Sequence, residues 1–456
     1  MSLPPGPPGP AFLQTLGYTY WTFPFFEECA RRYGDPFTLR MPGFGSFVMM
    51  SAPELIKQVF TGDPEQLHAG AANAMLEPVV GRHSVLLLDG KEHLRQRRLL
   101  LPPLHGERMH AYAALMAEIA AVEVQRMPLG AAFSIHEHMQ RITLQVILRA
   151  VFGLDEGAQM DELAALLVEF TRPPPSLMIF VPPAYLKYGD FPFSPWRTFL
   201  RRREKVDRAL RAILRAQMTA AAAPDPARVD ILSLLLSARD EEGGAMSEDE
   251  LRDELVTMLV AGHETTATAL AWTFAFILHH RDVAARLTEE LEDARRGDGT
   301  PDVGKLAANE YLDAVIKESL RLRPIVPDVV RRVQQPITVA GYEIPVGAFL
   351  TPCIHLAHRR PDSWPEPDRF RPERFLGAKV DPYTWFPFGG GIRRCLGMAF
   401  ALYEMKIVVG VTLLAARLRL AGDAPPKVVR RTVTLAPAGG TRVVLDERRG
   451  RRSAAA

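Results

Sequence analysis

The sequence predicts an α+β protein, mainly α-helical, in which small β-sheets sit around one long central helix. Three observations predict it. Apolar positions Leu251, Leu255, Leu259 and Leu270 to Leu278 recur at helical spacing, from a capping box at Ser247-Glu248-Asp249-Glu250 to about His280. At roughly 1.5 Å per residue this helix would be on the order of 50 Å long, so it must run through the core. Strand-like runs are short and fall at the two ends of the chain. The 456 residues, 47% hydrophobic and 24% charged, contain no linker, so residues 1–456 read as one large domain.

In chain order, Pro4 to Pro10 makes a stiff proline-rich lead-in within residues 1–10, with neither a basic leader nor an apolar signal core. Phe37 to Met50 alternates around Pro42-Gly43 and Gly45, as a β-hairpin does. Asp89 to Arg98 places His93 and Arg97 one helical turn apart, able to meet the same anion. Pro173 to Pro195 and Pro361 to Pro372 are interleaved with aromatics, which suits packed loops rather than spacers. Ala220 to Pro226 reads as solvated chain.

A helix marked by Leu312, Val315, Ile316 and Leu320 stops before Pro324 and carries Glu318 and Arg321 on one face. Further strands are expected at Ile337 to Ile344 and Ala348 to Thr351. A terminal hairpin is expected to pair Val433 to Leu435 with Arg442 to Leu445 across Pro437-Ala438-Gly439-Gly440. Residues 448–456 read as a disordered tail.

A net charge of +2 gives no global preference for nucleic acid or acidic partners. Cys29, Cys353 and Cys395 are odd in number and lack CxxC or His-rich spacing, which argues against disulfides and zinc and suits a reducing cytoplasm. The longest strongly apolar helical run is read as Ala267 to Leu278, short of the roughly 20 residues a span requires, so no membrane span is expected.

Two stretches carry chemistry. Phe388 to Gly397 sets Cys395 in a glycine-rich loop flanked by Arg393 and Arg394, where cationic and N–H groups can hold a thiolate and Gly391 and Gly397 let a flat cofactor approach. An axial cysteinate on haem iron fits. Ala261-Gly262-His263-Glu264-Thr265-Thr266 interrupts the long helix with glycine and paired threonines, residues of low helix propensity. A threonine hydroxyl bonded to the carbonyl one turn back would open a groove there.

The cysteine loop resembles the ligand signature of the cytochrome P-450 superfamily, Phe-x-x-Gly-x-Arg-x-Cys-x-Gly, at Phe388, Gly391, Arg393, Cys395 and Gly397. The long helix resembles that family's oxygen-activation motif, and Glu318-Ser319-Leu320-Arg321 with Pro372-Glu373-Arg374-Phe375 resembles its Glu-x-x-Arg and Pro-Glu-Arg-Phe pair. The resemblance spans most of the chain. It implies the cytochrome P-450 fold, heme b (iron protoporphyrin IX), Cys395 as the metal ligand, and insertion of one oxygen atom from O2.

By the same resemblance, Glu264 would deliver protons and Thr265 would hydrogen-bond the activated dioxygen. His93, Arg97, Arg331 and Arg393 would hold the propionates, with Arg332 turned away. Phe388, Gly389, Gly397 and Ala261 would contact the macrocycle. Glu318, Arg321 and Arg374 would form a structural triad behind the cysteine loop.

Val260, Ala261, Ile325, Val326, Val329 and Val433 would line the substrate pocket. The loop Ala71 to Leu87 and the apolar residues Phe180, Val181, Tyr185, Phe191, Phe193 and Trp196 of the segment Phe170 to Trp196 would join them. The expected substrate is a fatty acid, terpenoid or steroid-like molecule. Electrons would come from a ferredoxin or flavodoxin with its reductase, because the stretch after Cys395 is too short for a flavin domain, and Lys91, Arg95, Arg98 and Arg394 form a candidate docking patch. A peroxide-driven hydroxylase or a non-catalytic haem-binding sensor of the same fold stays open, with the intact Glu264-Thr265 pair against both.

Overall fold

In the computed structural model, which describes residues 3–106, 108–154, 157–171, 190, 194–220 and 230–449, Glu248–His279 is one unbroken 32-residue helix. The capping box forms in full. Ser247 Oγ accepts from the Glu250 N–H at 3.2 Å, and Glu250 Oε2 accepts from the Ser247 N–H at 2.7 Å.

Counting helices of eight or more residues in chain order, this is α9. Before it come α1 (Ala11–Tyr20), α2 (Thr22–Tyr33), α3 (Pro53–Phe60), α4 (Gly90–Leu100), α5 (Arg108–Arg126), α6 (Ile135–Phe152), α7 (Ala158–Phe170) and α8 (Pro195–Ala220). After it come α10 (Arg281–Glu292), α11 (Glu310–Leu322) and α12 (Met398–Ala415). Helix α9 packs on α6, α8, α11 and α12, and from Thr266 to Ala275 every side chain is buried. A helix apolar all round belongs in a core.

The strands are β1 (Phe37–Met41), β2 (Gly45–Met50), β3 (Leu67–His68), β4 (Ala132–Ser134), β5 (Arg331–Val333), β6 (Ile337–Val339), β7 (Tyr342–Ile344), β8 (Phe349–Pro352), β9 (Ala416–Leu420), β10 (Val428–Arg431), β11 (Thr434–Pro437) and β12 (Arg442–Arg448). The main sheet runs β1-β2-β8-β5-β3, with only β2 and β8 parallel. The hairpin expected over Phe37 to Met50 closes with Met41 opposite Gly45. The proline-rich lead-in is pinned to it, since the Pro4 and Pro5 carbonyls accept from Thr38 Oγ1 and the Thr38 N–H.

Four expectations need correction. The terminal hairpin does not form. Strand β11 pairs back onto β10, while β12 lies between β4 and β9 in another sheet. Gly439, Gly440 and Thr441 all have positive φ (69°, 72° and 55°), so the chain leaves β11 in a new direction. Gly440 also packs so closely that a Cβ would come within 2.1 Å of Ser134 Oγ.

Among the described residues the longest strongly apolar helix is α12, not the run at Ala267. It is long and apolar enough to cross a membrane by length and composition, with mean hydropathy 1.7, yet 61% of it is buried against the rest of the protein. The expected tail starts too early, because Arg448 closes β12 and donates to the Gln125 and Met127 carbonyls. Ala220 likewise still belongs to α8, and residues 221–226 and 450–456 lie outside the described residues.

Candidate functional site

Helix α9 and the cysteine loop face each other across a cavity of about 540 Å³. From α9 the cavity receives Ala261, Gly262 and Thr265; from the loop, Phe388, Gly389, Arg393, Cys395 and Gly397. Cys395 is held by its N–H, which donates to the Phe388 carbonyl at 2.9 Å after the single 3-10 turn Gly391–Arg393. Cys395 is an exposed free cysteine and borders the cavity.

Burial pushes the Cys395 thiol up, against the Gly397 N–H, Arg97 and Arg394, which pull it down. Gly391 is reassigned. At φ 64° its missing Cβ would lie 2.2 Å from the Phe60 carbonyl oxygen, so this glycine serves the packing of the loop on α3 and not a cofactor. Gly397 does face the cavity, and a Cβ there would meet nothing within 4 Å.

At one rim of the cavity stand His93, Arg97, Arg331 and Arg393. His93 Nδ1 is buried without a hydrogen-bond partner, and burial together with the three guanidiniums lowers this imidazole to about 3. Arg331 is buried and Arg332 exposed, as alternation along β5 requires. Burial and Arg393 bring Arg331 down to about 10. Arg393 falls to about 10 through burial and Arg97, opposed by Asp89.

Asp89 is a site residue the sequence reading did not single out. It ion-pairs with Arg393 and accepts from the Gly70 and Ala71 N–H groups, both at 2.8 Å. One carboxylate among three guanidiniums leaves a surplus of positive charge. That surplus, the orphaned imidazole nitrogen and the cavity-facing thiol together fit a flat, dianionic, metal-holding macrocycle such as haem.

On the α9 side, the Thr265 hydroxyl donates to the Ala261 carbonyl at 2.5 Å and that of Thr266 to Gly262 at 2.8 Å. These back-bonds sit within a helix that runs continuously from Glu248 to His279. Glu264 is not on the cavity wall. Its Oε2 accepts from Gln140 Nε2 at 2.5 Å, and its Oε1 lies 3.7 Å from His136 Nε2 and 3.8 Å from Arg431. Buried His263 turns back to the Leu259 carbonyl.

The pair Glu318 and Arg321 is fully buried, with nitrogen–oxygen distances of 2.6 and 2.9 Å, and Arg374 Nε adds 3.0 Å. Arg321 also donates to the His358 carbonyl, and His358 Nε2 accepts from the Phe386 N–H, two residues before Phe388. The triad thus reaches the cysteine loop through one histidine.

Of the expected pocket residues, Ala261, Ile325, Val326, Val329 and Val433 line the cavity, as do Ala72, Met75 and Leu86 of the loop Ala71 to Leu87. Val260 does not, because it sits one helical step from Ala261 and packs into the core. Trp196 stacks on Phe199 at 5.3 Å and borders a separate pocket beside Arg203 and Arg252. Phe180, Val181, Tyr185, Phe191 and Phe193 lie outside the described residues.

The candidate docking patch is smaller than expected. Arg95 pairs with Asp240 and Glu250, and Arg98 with Glu241, which leaves exposed Lys91 and Arg394.

Residues 3–443 match the family model described as Cytochrome P450. A protein named cytochrome P450 135B1 from Mycobacterium tuberculosis is 39% identical over 445 residues, which is 97% of this chain and 91% of that one. Cytochrome P450 138 from Mycobacterium bovis is 36% identical over 447 residues, covering 98% and 97%. Among solved structures, a retinoic acid-bound cyanobacterial CYP120A1 superposes with TM-score 0.84 at 24% identity, covering 98% of this chain and all of that one. The heme domain of cytochrome P450DA gives 0.81 at 23%, covering 98% of each. At those identities the two structures speak to the fold.

Proposed function

This chain belongs to the cytochrome P450 family of haem-thiolate monooxygenases, and from that premise we propose that it oxidises a hydrophobic small molecule of fatty-acid, terpenoid or steroid type. The observation that carries the reading is the convergence of Cys395, a cationic rim and Thr265 on one cavity whose remaining walls include Met75, Leu86, Ile325, Val326, Val329 and Val433.

Haem, when bound, supplies the activation of O2 with two electrons and two protons and the transfer of one oxygen atom. Cys395 Sγ would be its metal ligand, and His93, Arg97, Arg331 and Arg393 would hold its carboxylates. Ala261, with its single methyl group, leaves room at the opposite wall for a small ligand.

The Thr265 hydroxyl holds a proton at Oγ1 beside that space. Glu264 replenishes it from outside the cavity wall, where Gln140 and His136 keep its carboxylate in a polar environment. Electrons arrive from a separate redox partner, which we assign to the ferredoxin or flavodoxin class with its reductase. A cytoplasmic location accords with the buried α12 and with the free thiols Cys29 and Cys353.

Replacing Thr265 tests this directly. With a hydrophobic substrate and redox partners, T265A is expected to consume O2 while releasing peroxide in place of product. Unchanged product and coupling would remove Thr265 from proton delivery, and peroxide turnover without any reductant-linked activity would favour a peroxide-driven enzyme.

A further inference from the structure

Besides the cationic rim, the cavity wall carries another polar group of residues. Tyr18 from α1, Asp328 from the α11–β5 connection and Arg430 from β10 all border the cavity, next to Met41, Phe44 and Val433. Tyr18 Oη donates to Asp328 Oδ2 at 2.9 Å, and Asp328 is only 8% exposed. Arg430 lies over the Tyr18 ring, its guanidinium carbon 4.6 Å from the centroid. Its NH2 donates to two neutral oxygens, the Tyr18 carbonyl at 3.2 Å and Thr22 Oγ1 at 3.0 Å. Its Nε is buried with no hydrogen-bond partner.

A buried guanidinium N–H without an acceptor is costly, and a buried carboxylate that borders an apolar cavity gains from every further donor. A ligand that settles both must donate and accept at once. A hydrocarbon does neither, and a carboxylate would set a second negative charge against Asp328. A hydroxyl group does both.

Resting on the monooxygenase reading above, we propose that Tyr18, Asp328 and Arg430 anchor an alcohol hydroxyl of the substrate. The hydroxyl donates to Asp328 and accepts from Arg430 Nε–H, while the hydrocarbon body fills the apolar part of the cavity. The enzyme's substrate class is then an amphipathic alcohol, a long-chain, terpenoid or sterol-like one, held by its polar end so that oxidation falls on its hydrocarbon portion.

Calorimetric titration of the holoenzyme with decan-1-ol, decane and decanoate tests the anchor without relying on turnover. Decan-1-ol is expected to bind about ten- to a hundredfold more tightly than decane, the range for a hydrogen bond to a charged group. D328A and R430M are each expected to abolish that preference, so that decan-1-ol and decane bind each variant alike. R430M, on a partly exposed β10 side chain, carries the test alone if D328A does not fold.

Equal affinity for decan-1-ol and decane, an alcohol preference that survives both substitutions, or tightest binding of decanoate would each overturn the assignment. Oxygen transfer to decane by the wild-type enzyme reports separately on the monooxygenase reading, so the two can fail independently.

Discussion

Asp328 shows how a single buried group links pH, stability and binding. Burial raises its carboxyl to about 6 from the ordinary 3.8, with the Tyr18 hydroxyl and Arg430 pulling the other way and Cys353 the remaining titratable neighbour. A raised carboxyl means that the folded state favours the neutral acid. Its contribution is complete below about pH 4 and is lost as pH rises through 6, where the folded protein must carry a buried carboxylate. D328N should therefore stabilise the fold above pH 6, by about 3 kcal/mol from two pKa units, and by nothing near pH 4. Thermal unfolding of the two proteins across that range checks it, and a pH-independent difference would refute it. Stability given up at a binding residue is a common trade.

Residues of this kind were not legible in the sequence. Asp328 and Arg430 look like ordinary surface charges until the fold carries residues 18 and 430, 412 positions apart, to one wall. Cys395 was legible because the chemistry is written into ten consecutive residues. Glu264 was half legible: its neighbour Thr265 faces the cavity, but a helical step of about 100° turns the carboxylate to Gln140 and His136.

Elements were more readable than the contacts between them. The capping box, the stop before Pro324 and the hairpin at Phe37 each depend on a few adjacent residues, and each is where the sequence places it. Strand pairing at the C-terminus was misread because it turns on three consecutive positive φ angles and on a neighbour, β4, some 300 residues earlier.

The Glu318–Arg321 pair shows the same dependence on context. As an exposed helix pair it would be worth a few tenths of a kcal/mol, but fully buried it is a different object. Removing the charge of one partner, as in E318Q, leaves Arg321 and Arg374 short of an anion. That should cost about 3–5 kcal/mol in denaturant unfolding and loosen the cysteine loop through His358 and Phe386. A loss below about 1 kcal/mol would show that the triad does not brace the site.

For the whole molecule, the fold brings a helix near the middle of the chain, a loop near its end and an arginine-rich rim into one cavity. No stretch of sequence contains that cavity, and its volume, its polar corner and Asp89 became visible only with the backbone in place. The ion pairs that tie Arg95 and Arg98 to Asp240, Glu250 and Glu241 were equally hidden, and they leave less free positive charge for a redox partner than the sequence advertises.

Everything functional depends on Cys395 reaching iron as a thiolate across that cavity. The absorption spectrum of the haem-loaded protein, reduced and bound to carbon monoxide, tests this most directly. The structure predicts a strongly red-shifted Soret band that is lost in C395H, whereas an unshifted band in folded, haem-loaded wild-type protein would contradict it.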